Sequence, residues 1–191
     1  MASQPKNFLT LDEYLELERN SDTRTVYHNG EIFPIEAATE AHGILCVNAA
    51  AEIRGALQKA QKNTCRVIDS SVMVYQPDPG QVVRPDVFVV CGPTQFRDEH
   101  KDVILNPLLV IEVLSPSTRN YDQGDKFAYY CSIPSFSEYL TIEQDKALVG
   151  HRQKARDASW ILNTQANIDG QIYLATLDIT IPMKGLYSGA V

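Results

Sequence analysis

The sequence contains few of the residues that characterise fibrous, disordered or disulfide-built chains. Its 191 residues include only 10 glycines, 10 prolines and 4 cysteines, a composition that does not fit collagen-like, low-complexity or disulfide-scaffold proteins. The cysteines form no CxxC pair and no Cys/His pair at zinc-site spacing, so we predict reduced, mostly packed thiols. They are Cys46, Cys65, Cys91 and Cys131. A chain of this length can bury a core without disulfides, and we predict one domain over residues 1–191.

Long hydrophobic runs are also absent. No apolar run approaches the ~20 residues that span a bilayer, and residues 1–7 lack the hydrophobic core of a signal peptide. We therefore predict a cytoplasmic protein that has no membrane partner.

Basic side chains are outnumbered by acidic ones. Seventeen Lys and Arg residues stand against 24 Asp and Glu residues, which gives a net charge of −7. This acidity argues against a protein that coats nucleic acid or an anionic membrane. Residues 1–50 carry eight acidic and three basic side chains, so most of the acidic excess lies in the N-terminal part of the sequence. Any contact with DNA or RNA must therefore be made through a local site.

The hydrophobic and turn patterns predict a β-sheet with helices packed on it. Thr10-Leu-Asp-Glu13 has the form of a capping box and predicts a first helix, and Asn29-Gly30 predicts a tight hairpin turn. The alanine-rich stretch over 39–61 predicts the longest helix, and a shorter helix is expected over 123–132. Strands are predicted over 25–28, 31–35, 64–68, 71–76, 86–90, 108–114, 139–142, 148–152, 160–163, 172–174 and 177–181.

Two carboxylates stand in or beside strands that are otherwise almost wholly aliphatic. Glu112 lies inside the strand predicted over 108–114, where an unpaired charge is rarely tolerated. Asp86 opens the strand predicted over 86–90, directly after a proline. If the two strands are neighbours, both side chains can meet, and Mg²⁺ would neutralise them. The alternatives are a structural salt bridge for Glu112 and a local turn for Asp86.

Lys126 is the basic residue that follows these strands. It stands four residues after Asp122, a spacing typical of an ion pair on the surface of a helix. Its position just after the Glu112 strand also allows it to point inward. An inward ammonium would stabilise an attacking hydroxide or the charge that develops on a phosphate.

Short motifs follow one another in order along nearly the whole chain. They are Tyr27-His-Asn-Gly-Glu31, His42, Arg84-Pro-Asp86, Ile111-Glu-Val-Leu-Ser-Pro-Ser-Thr118, Asp125-Lys-Phe127 and Tyr130. Together they resemble the Uma family of restriction endonucleases, within the PD-(D/E)XK nuclease superfamily. The resemblance implies an α/β, restriction-endonuclease-like fold, in which helices flank a mixed central sheet and an N-terminal helix and hairpin cover the site.

The resemblance also assigns roles to individual residues. It implies that Asp86 and Glu112 are ligands of Mg²⁺ or Mn²⁺, that Lys126 is the catalytic lysine, and that the hairpin adds Glu31 as a further acidic metal ligand. From the sequence alone, Glu31 is equally well explained as the exposed first residue after a turn. The lysine that the superfamily carries two residues after the glutamate is here Leu114, and the resemblance implies that Lys126 has taken its place.

Four further residues are secondary candidates. His42 stands near the start of the long helix, where backbone capping and proton transfer are both open roles. Ser115 and Ser117 can cap the next helix or orient Glu112 and a bound phosphate. Tyr130, on the same predicted helix as the lysine, is expected in the core or behind the site.

The activity implied by the resemblance is metal-dependent hydrolysis of phosphodiester bonds. We predict an Mg²⁺-dependent endodeoxyribonuclease with DNA as its substrate, and, since enzymes of this superfamily often pair, a homodimer. One alternative is a non-catalytic nucleic-acid-binding or assembly module that keeps the fold. Another is a hydrolase of nucleotides or other phosphoesters.

Overall fold

The computed structural model describes residues 8–35 and 37–190. Its helices are α1 (Leu11–Arg19), α2 (Glu40–Lys59), α3 (Arg119–Gln123), α4 (Asp125–Tyr130) and α5 (Met183–Leu186). Its strands are β1 (Thr25–His28), β2 (Glu31–Pro34), β3 (Cys65–Asp69), β4 (Met73–Gln76), β5 (Gln81–Val83), β6 (Val87–Cys91), β7 (Val103–Ile104), β8 (Leu109–Leu114), β9 (Glu138–Glu143), β10 (Val149–Lys154), β11 (Trp160–Gln165), β12 (Gln171–Leu174) and β13 (Ile179–Pro182). Across these described residues, no helix is both long and apolar enough to cross a membrane.

A six-stranded mixed sheet forms the centre of the molecule, in the order β11-β10-β9-β8-β6-β3. β8 pairs in parallel with β9 and antiparallel with β6. Every residue of β8 and β9 is buried, because helices and loops cover both faces of the sheet. The predicted α/β class with a mixed central sheet is confirmed.

The long helix α2 covers one face of this sheet. Its buried side chains, Leu45, Ala49, Ile53 and Leu57, repeat every four residues and therefore form one stripe. The stripe packs on the aliphatic side chains of β6 and β8. The opposite face is covered by an aromatic cluster to which α4 contributes.

The predicted hairpin belongs to a second sheet, in the order β2-β1-β5-β4-β7. Asn29 and Gly30 take φ angles of 49° and 87°, which this tight turn requires and which these two residue types tolerate well. The sequence analysis did not identify β5. This strand has three residues, too few for a periodic pattern to emerge, and it forms by pairing with β4 across the turn at Pro77-Asp-Pro-Gly80.

The helix predicted over 123–132 is in fact two short helices. It begins earlier, at Arg119, and breaks at Gly124, which separates α3 from α4. A Cβ atom at Gly124 would lie 2.9 Å from the backbone oxygen of Asn120. Glycine therefore allows the chain to pass close to the preceding turn at this break.

The prediction of four reduced cysteines is wrong for two of them. Cys65 and Cys91 lie directly opposite each other on β3 and β6, with their Cα atoms 4.0 Å apart, and form a disulfide. They are 26 residues apart in the chain, so their spacing gives no hint of a contact that strand pairing creates. Cys46 and Cys131 are unpaired and partly buried, as predicted.

Candidate active site

The pairing of β6 with β8 brings the two predicted carboxylates to the same region. Val87 lies opposite Ile111, so Asp86, one residue before β6, lies beside Glu112. The Asp86 carboxylate reaches across to the neighbouring strand, where its Oδ2 accepts a hydrogen bond of 2.7 Å from the backbone N–H of Val113. This bond fixes Asp86 to β8, in place of the local turn that was the alternative.

Glu112 is held by two donors from α4. Lys126 Nζ lies 2.8 Å from Glu112 Oε1, and the Tyr130 hydroxyl donates to the same oxygen at 2.9 Å. The two donors are one helical turn apart and therefore share the face that packs on β8. Glu112 is 2% exposed. Lys126 thus points inward and contacts Glu112, as predicted. Tyr130 is buried and contacts the same carboxylate.

Asp122 is a member of this cluster that the sequence analysis placed on the surface. Its Oδ1 lies 3.0 Å from Lys126 Nζ, so the predicted ion pair exists, but the carboxylate is only 4% exposed. The Tyr139 hydroxyl donates to the backbone oxygen of Asp122 at 2.7 Å and anchors α3 to β9. The four-residue spacing of Asp122 and Lys126 predicted their ion pair, whereas the burial of the Asp122 carboxylate depends on how α3 packs on the sheet.

Burial and charge perturb both members of the central pair. Burial raises the pKa of Glu112 to about 8, against the opposing effect of Lys126 and with a smaller contribution from Asp86. Burial lowers the pKa of Lys126, but the nearby carboxylates of Glu112, Asp122 and Asp86 outweigh it and hold that pKa above its ordinary value. Lys126 is therefore a fixed cation, and Glu112 is a carboxylate that a further positive charge would stabilise.

His42 reaches the site from the start of α2. Thr39 caps the helix by accepting a hydrogen bond of 3.2 Å from the His42 backbone N–H, which leaves the imidazole ring available. Its Nε2 lies 3.2 Å from Asp86 Oδ1. The hydrogen bond to Asp86 raises the pKa of His42, although burial opposes it. The ring thus contacts the site, and the capping role belongs to Thr39.

Cys46 follows His42 by one helical turn and is a site residue that the sequence analysis missed. One ligand atom from each of His42, Cys46 and Asp86 lies within 4.8 Å of the others. Its signal in the sequence is the four-residue spacing of His42 and Cys46, which places both side chains on one face of a helix. Burial raises the pKa of the Cys46 thiol, and the carboxylates of Asp86 and Glu112 add to that effect.

The loop after β8 carries hydroxyl groups along the edge of the site. Ser115 Oγ accepts a hydrogen bond of 3.1 Å from the backbone N–H of Thr118, inside the turn that precedes α3. Thr118 is the N-cap residue of α3, and this cap has no side-chain hydrogen bond, so the Ser115 contact is not the helix cap that was considered for it. Ser115 Oγ also lies 3.0 Å from Ser117 Oγ and 2.8 Å from Thr118 Oγ1. Hydrogen bonds within the loop therefore hold these hydroxyl groups in fixed positions.

Most of these residues line a cavity of ≈ 610 Å³, while Cys46 and Tyr130 lie outside its lining. Its walls include Asp86, Glu112, Lys126, His42, Asp122, Ser115, Ser117, Thr118, Arg24 and Arg84. Glu31 is not among the lining residues. It pairs with His28 at the turn of the hairpin, whereas the lining residues Arg24 and Pro34 lie at the hairpin's other end. The structure therefore brings Asp86, Glu112 and Lys126 together and leaves Glu31 outside their cluster.

Arg84 is fixed in the cavity wall by contacts on both sides. It donates to Glu18 Oε1 at 2.9 Å and to the backbone oxygens of Ser70 and Ser71 at 3.1 and 2.9 Å. Since Arg84 stands two residues before Asp86, these bonds connect α1 and the β3–β4 loop to the start of β6.

Comparison with known proteins agrees with this fold. A crystal structure from Anabaena variabilis ATCC 29413, titled as that of a "putative nuclease belonging to DUF820", superposes with a TM-score of 0.75 over 96% of this chain and 99% of the other, at 17% identity. The fold is therefore of the restriction-endonuclease-like class. Residues 11–182 match the model of the Uma2 family, described as "Putative restriction endonuclease". The chain belongs to the Uma2 family.

Two proteins of Synechocystis sp. are relatives over nearly their whole lengths. The protein sll1609 is 30% identical over 179 residues, which are 94% of this chain and 99% of that protein. The protein slr1290 is 28% identical over 188 residues, which are 98% of this chain and 95% of that protein. Both carry the description "Uncharacterized protein", so they establish the relationship and add no activity.

Proposed function

We propose that the protein is a metal-dependent endonuclease that hydrolyses phosphodiester bonds in DNA. The observation that carries the proposal is the convergence of Asp86, Glu112 and Lys126 on one cavity, from β6, β8 and α4. Family membership supports a nuclease, while the metal, the DNA substrate and the roles of these residues are part of the proposal.

The donor set fits a hard divalent cation such as Mg²⁺ or Mn²⁺. Asp86 and Glu112 offer carboxylate oxygens, which these ions prefer, and both side chains line the cavity. The raised pKa of Glu112 is a second point of fit, since a cation beside it would offset the cost of its burial. When bound, the ion would lower the pKa of a coordinated water and add positive charge beside the scissile phosphate.

The side chains around the carboxylates have roles of their own. Lys126 is held between Glu112 and Asp122, so its ammonium is oriented before substrate arrives and can stabilise negative charge that develops on the phosphate. Tyr130 fixes the orientation of Glu112 by donating to it. The hydroxyls of Ser115 and Ser117 can donate to phosphate oxygens at the cavity wall.

One observation favours a second candidate, the non-catalytic nucleic-acid-binding or assembly module. Lys126 and Tyr130 already satisfy Glu112 Oε1 within the protein, so the cluster is stable as a structural ion pair. The two candidates differ in whether Glu112 is needed for cleavage or only for folding.

Incubation of supercoiled plasmid with Mg²⁺ or Mn²⁺ separates the two candidates. We expect nicking by the wild type, and a loss of at least about 100-fold in Glu112→Gln, as is common when a group that acts in the transition state is removed. Glu16→Gln, at an exposed position on α1, is the matched control. Equal nicking by wild type and Glu112→Gln would identify a contaminant and overturn the proposal.

The same proposal includes a single nuclease domain, a cytoplasmic location and a homodimer. These stay predictions from the sequence and the family resemblance. Sedimentation equilibrium of the purified chain tests the homodimer, and a monomer at concentrations that support cleavage would exclude it.

A further inference from the structure

A histidine, a cysteine and an aspartate meet on the α2 side of the cavity. His42 and Cys46 are four residues apart in α2 and therefore lie on one face of the helix. Asp86 comes from the neighbouring start of β6. One ligand atom from each residue lies within 4.8 Å of the other two. The group therefore combines nitrogen, sulfur and oxygen donors, a mixture that the pair Asp86 and Glu112 lacks.

The separation of the histidine nitrogen and the aspartate oxygen matches that around a tetrahedral metal ion, and the cysteine sulfur lies within 4.8 Å of both. Zn²⁺ binds nitrogen, oxygen and sulfur at about 2.0–2.3 Å, which places its ligand atoms roughly 3–4 Å from one another. His42 Nε2 and Asp86 Oδ1 are 3.2 Å apart. Asp86 is already oriented, because its Oδ2 accepts from the Val113 backbone N–H. Small side-chain movements would therefore complete the ligand set.

The surroundings of the three residues also suit a cation. His42 and Asp86 line the cavity, so a fourth coordination position would face solvent, as in zinc sites with three protein ligands. Cys46 is partly buried and packs beside the aliphatic core under α2. The Cys46 thiol is therefore partly shielded from solvent and lies close to the His42 imidazole and the Asp86 carboxylate.

We propose that His42 Nε2, Cys46 Sγ and Asp86 Oδ1 form a binding site for one divalent transition metal of the Zn²⁺ and Co²⁺ type. Thiolate and imidazole ligands select such ions over Mg²⁺, which prefers oxygen. The site shares Asp86 with the proposed nuclease centre and extends it toward α2. Binding does not require that the protein cleave nucleic acid, so it is tested without a substrate.

Cobalt provides a readout that is independent of activity. The full chain is freed of metal with a chelator, titrated with Co²⁺ in thiol-free buffer and followed by absorption. We expect the visible bands of tetrahedral Co²⁺, a near-ultraviolet thiolate-to-Co²⁺ charge-transfer band, one ion per chain, and loss of all bands when Zn²⁺ is added. A wild type that lacks the charge-transfer band would overturn the proposal.

Variants assign the ligands. Cys46→Ala should lose the charge-transfer band, and His42→Ala should weaken Co²⁺ binding at least about 10-fold, the loss typical of even an outer partner in a metal site. Cys131→Ala removes the other unpaired thiol and should keep the band. If Cys46→Ala fails to fold by circular dichroism, His42→Ala decides. Retention of the band in Cys46→Ala, or unchanged affinity in His42→Ala, contradicts the site.

The proposal and the nuclease function fail separately. Glu112 is not among the three ligands, so Glu112→Gln should keep the Co²⁺ spectrum while it loses cleavage. Cleavage that depends on Glu112 in a protein without the charge-transfer band would leave the nuclease standing and remove this second site.

Discussion

Replacing Lys126 with methionine removes the cation that neutralises two buried carboxylates. Glu112 and Asp122 both lie within 3.0 Å of Lys126 Nζ, and both are less than 5% exposed. Breaking a buried ion pair by deleting one partner costs about 3–5 kcal/mol of unfolding free energy, and we expect this cost at pH 9, where Glu112 is ionised. For a chain of this size that corresponds to a fall in melting temperature of about 6–20 °C.

The cost should depend on pH, because Glu112 can take up a proton. The pKa of Glu112 is about 8 in the folded wild type and ordinarily 4.5. Between these pH values the folded state holds a proton that the unfolded state has released, so this group makes stability fall as pH rises. In Lys126→Met the attraction that lowers the Glu112 pKa is lost, and the fall continues above pH 8. The destabilisation relative to wild type is therefore expected to be larger at pH 9 than at pH 6.

Urea denaturation in EDTA at the two pH values measures this difference. The double variant Lys126→Met with Glu112→Gln removes the charge at Glu112 and should recover part of the lost stability at pH 9, without recovering cleavage. If the single variant is destabilised equally at both pH values, or if the double variant is no more stable than the single one, Glu112 is not the buried charge that Lys126 neutralises.

Three other predictions follow from particular contacts. Gly124→Ala places a Cβ atom 2.9 Å from Asn120 O and should lower the unfolding free energy measured in urea by about 1–3 kcal/mol. The control Gly55→Ala lies within α2 with no atom within 4 Å of the new Cβ, and it should raise that free energy by about 0.5–1 kcal/mol. Equal effects of the two substitutions would contradict the close approach at Gly124. Cys65→Ala should lower the unfolding free energy by about 3 kcal/mol, because the Cys65–Cys91 disulfide joins residues that are 26 apart in the chain. Reduction of the wild type should lower it by a similar amount. A urea midpoint that neither treatment changes would show that the disulfide is not formed. Mn²⁺ should raise the melting temperature of the wild type but not of Asp86→Asn, and an equal rise in both would remove Asp86 from the ligands.

Local sequence determined those features that depend on neighbouring residues. Asn29 and Gly30 made the hairpin turn predictable, because few other residues accept its positive φ angles. Thr10 and Glu13 form the predicted capping box. The aliphatic runs around Glu112 identified a strand covered on both faces, and the order of the short motifs identified the family.

Contacts between distant segments were decided by the tertiary structure. The disulfide depends on β3 lying beside β6, and the burial of Asp122 depends on the packing of α3 against the central sheet. The proximity of Cys46 to Asp86 arises because α2 packs against β6. Glu31 lies at the end of the hairpin that does not line the cavity.

The candidate site divides in the same way. The sequence pointed to Asp86 and Glu112, because a carboxylate in or beside an aliphatic strand needs compensation. Lys126 was added by the family resemblance, since its four-residue spacing from Asp122 by itself indicated a surface ion pair. The sequence could not supply the distances among them, or show that His42 and Cys46 face the same carboxylate. The sequence determines which chemical groups are present, whereas strand pairing and helix packing across the whole chain determine where one side chain lies relative to another.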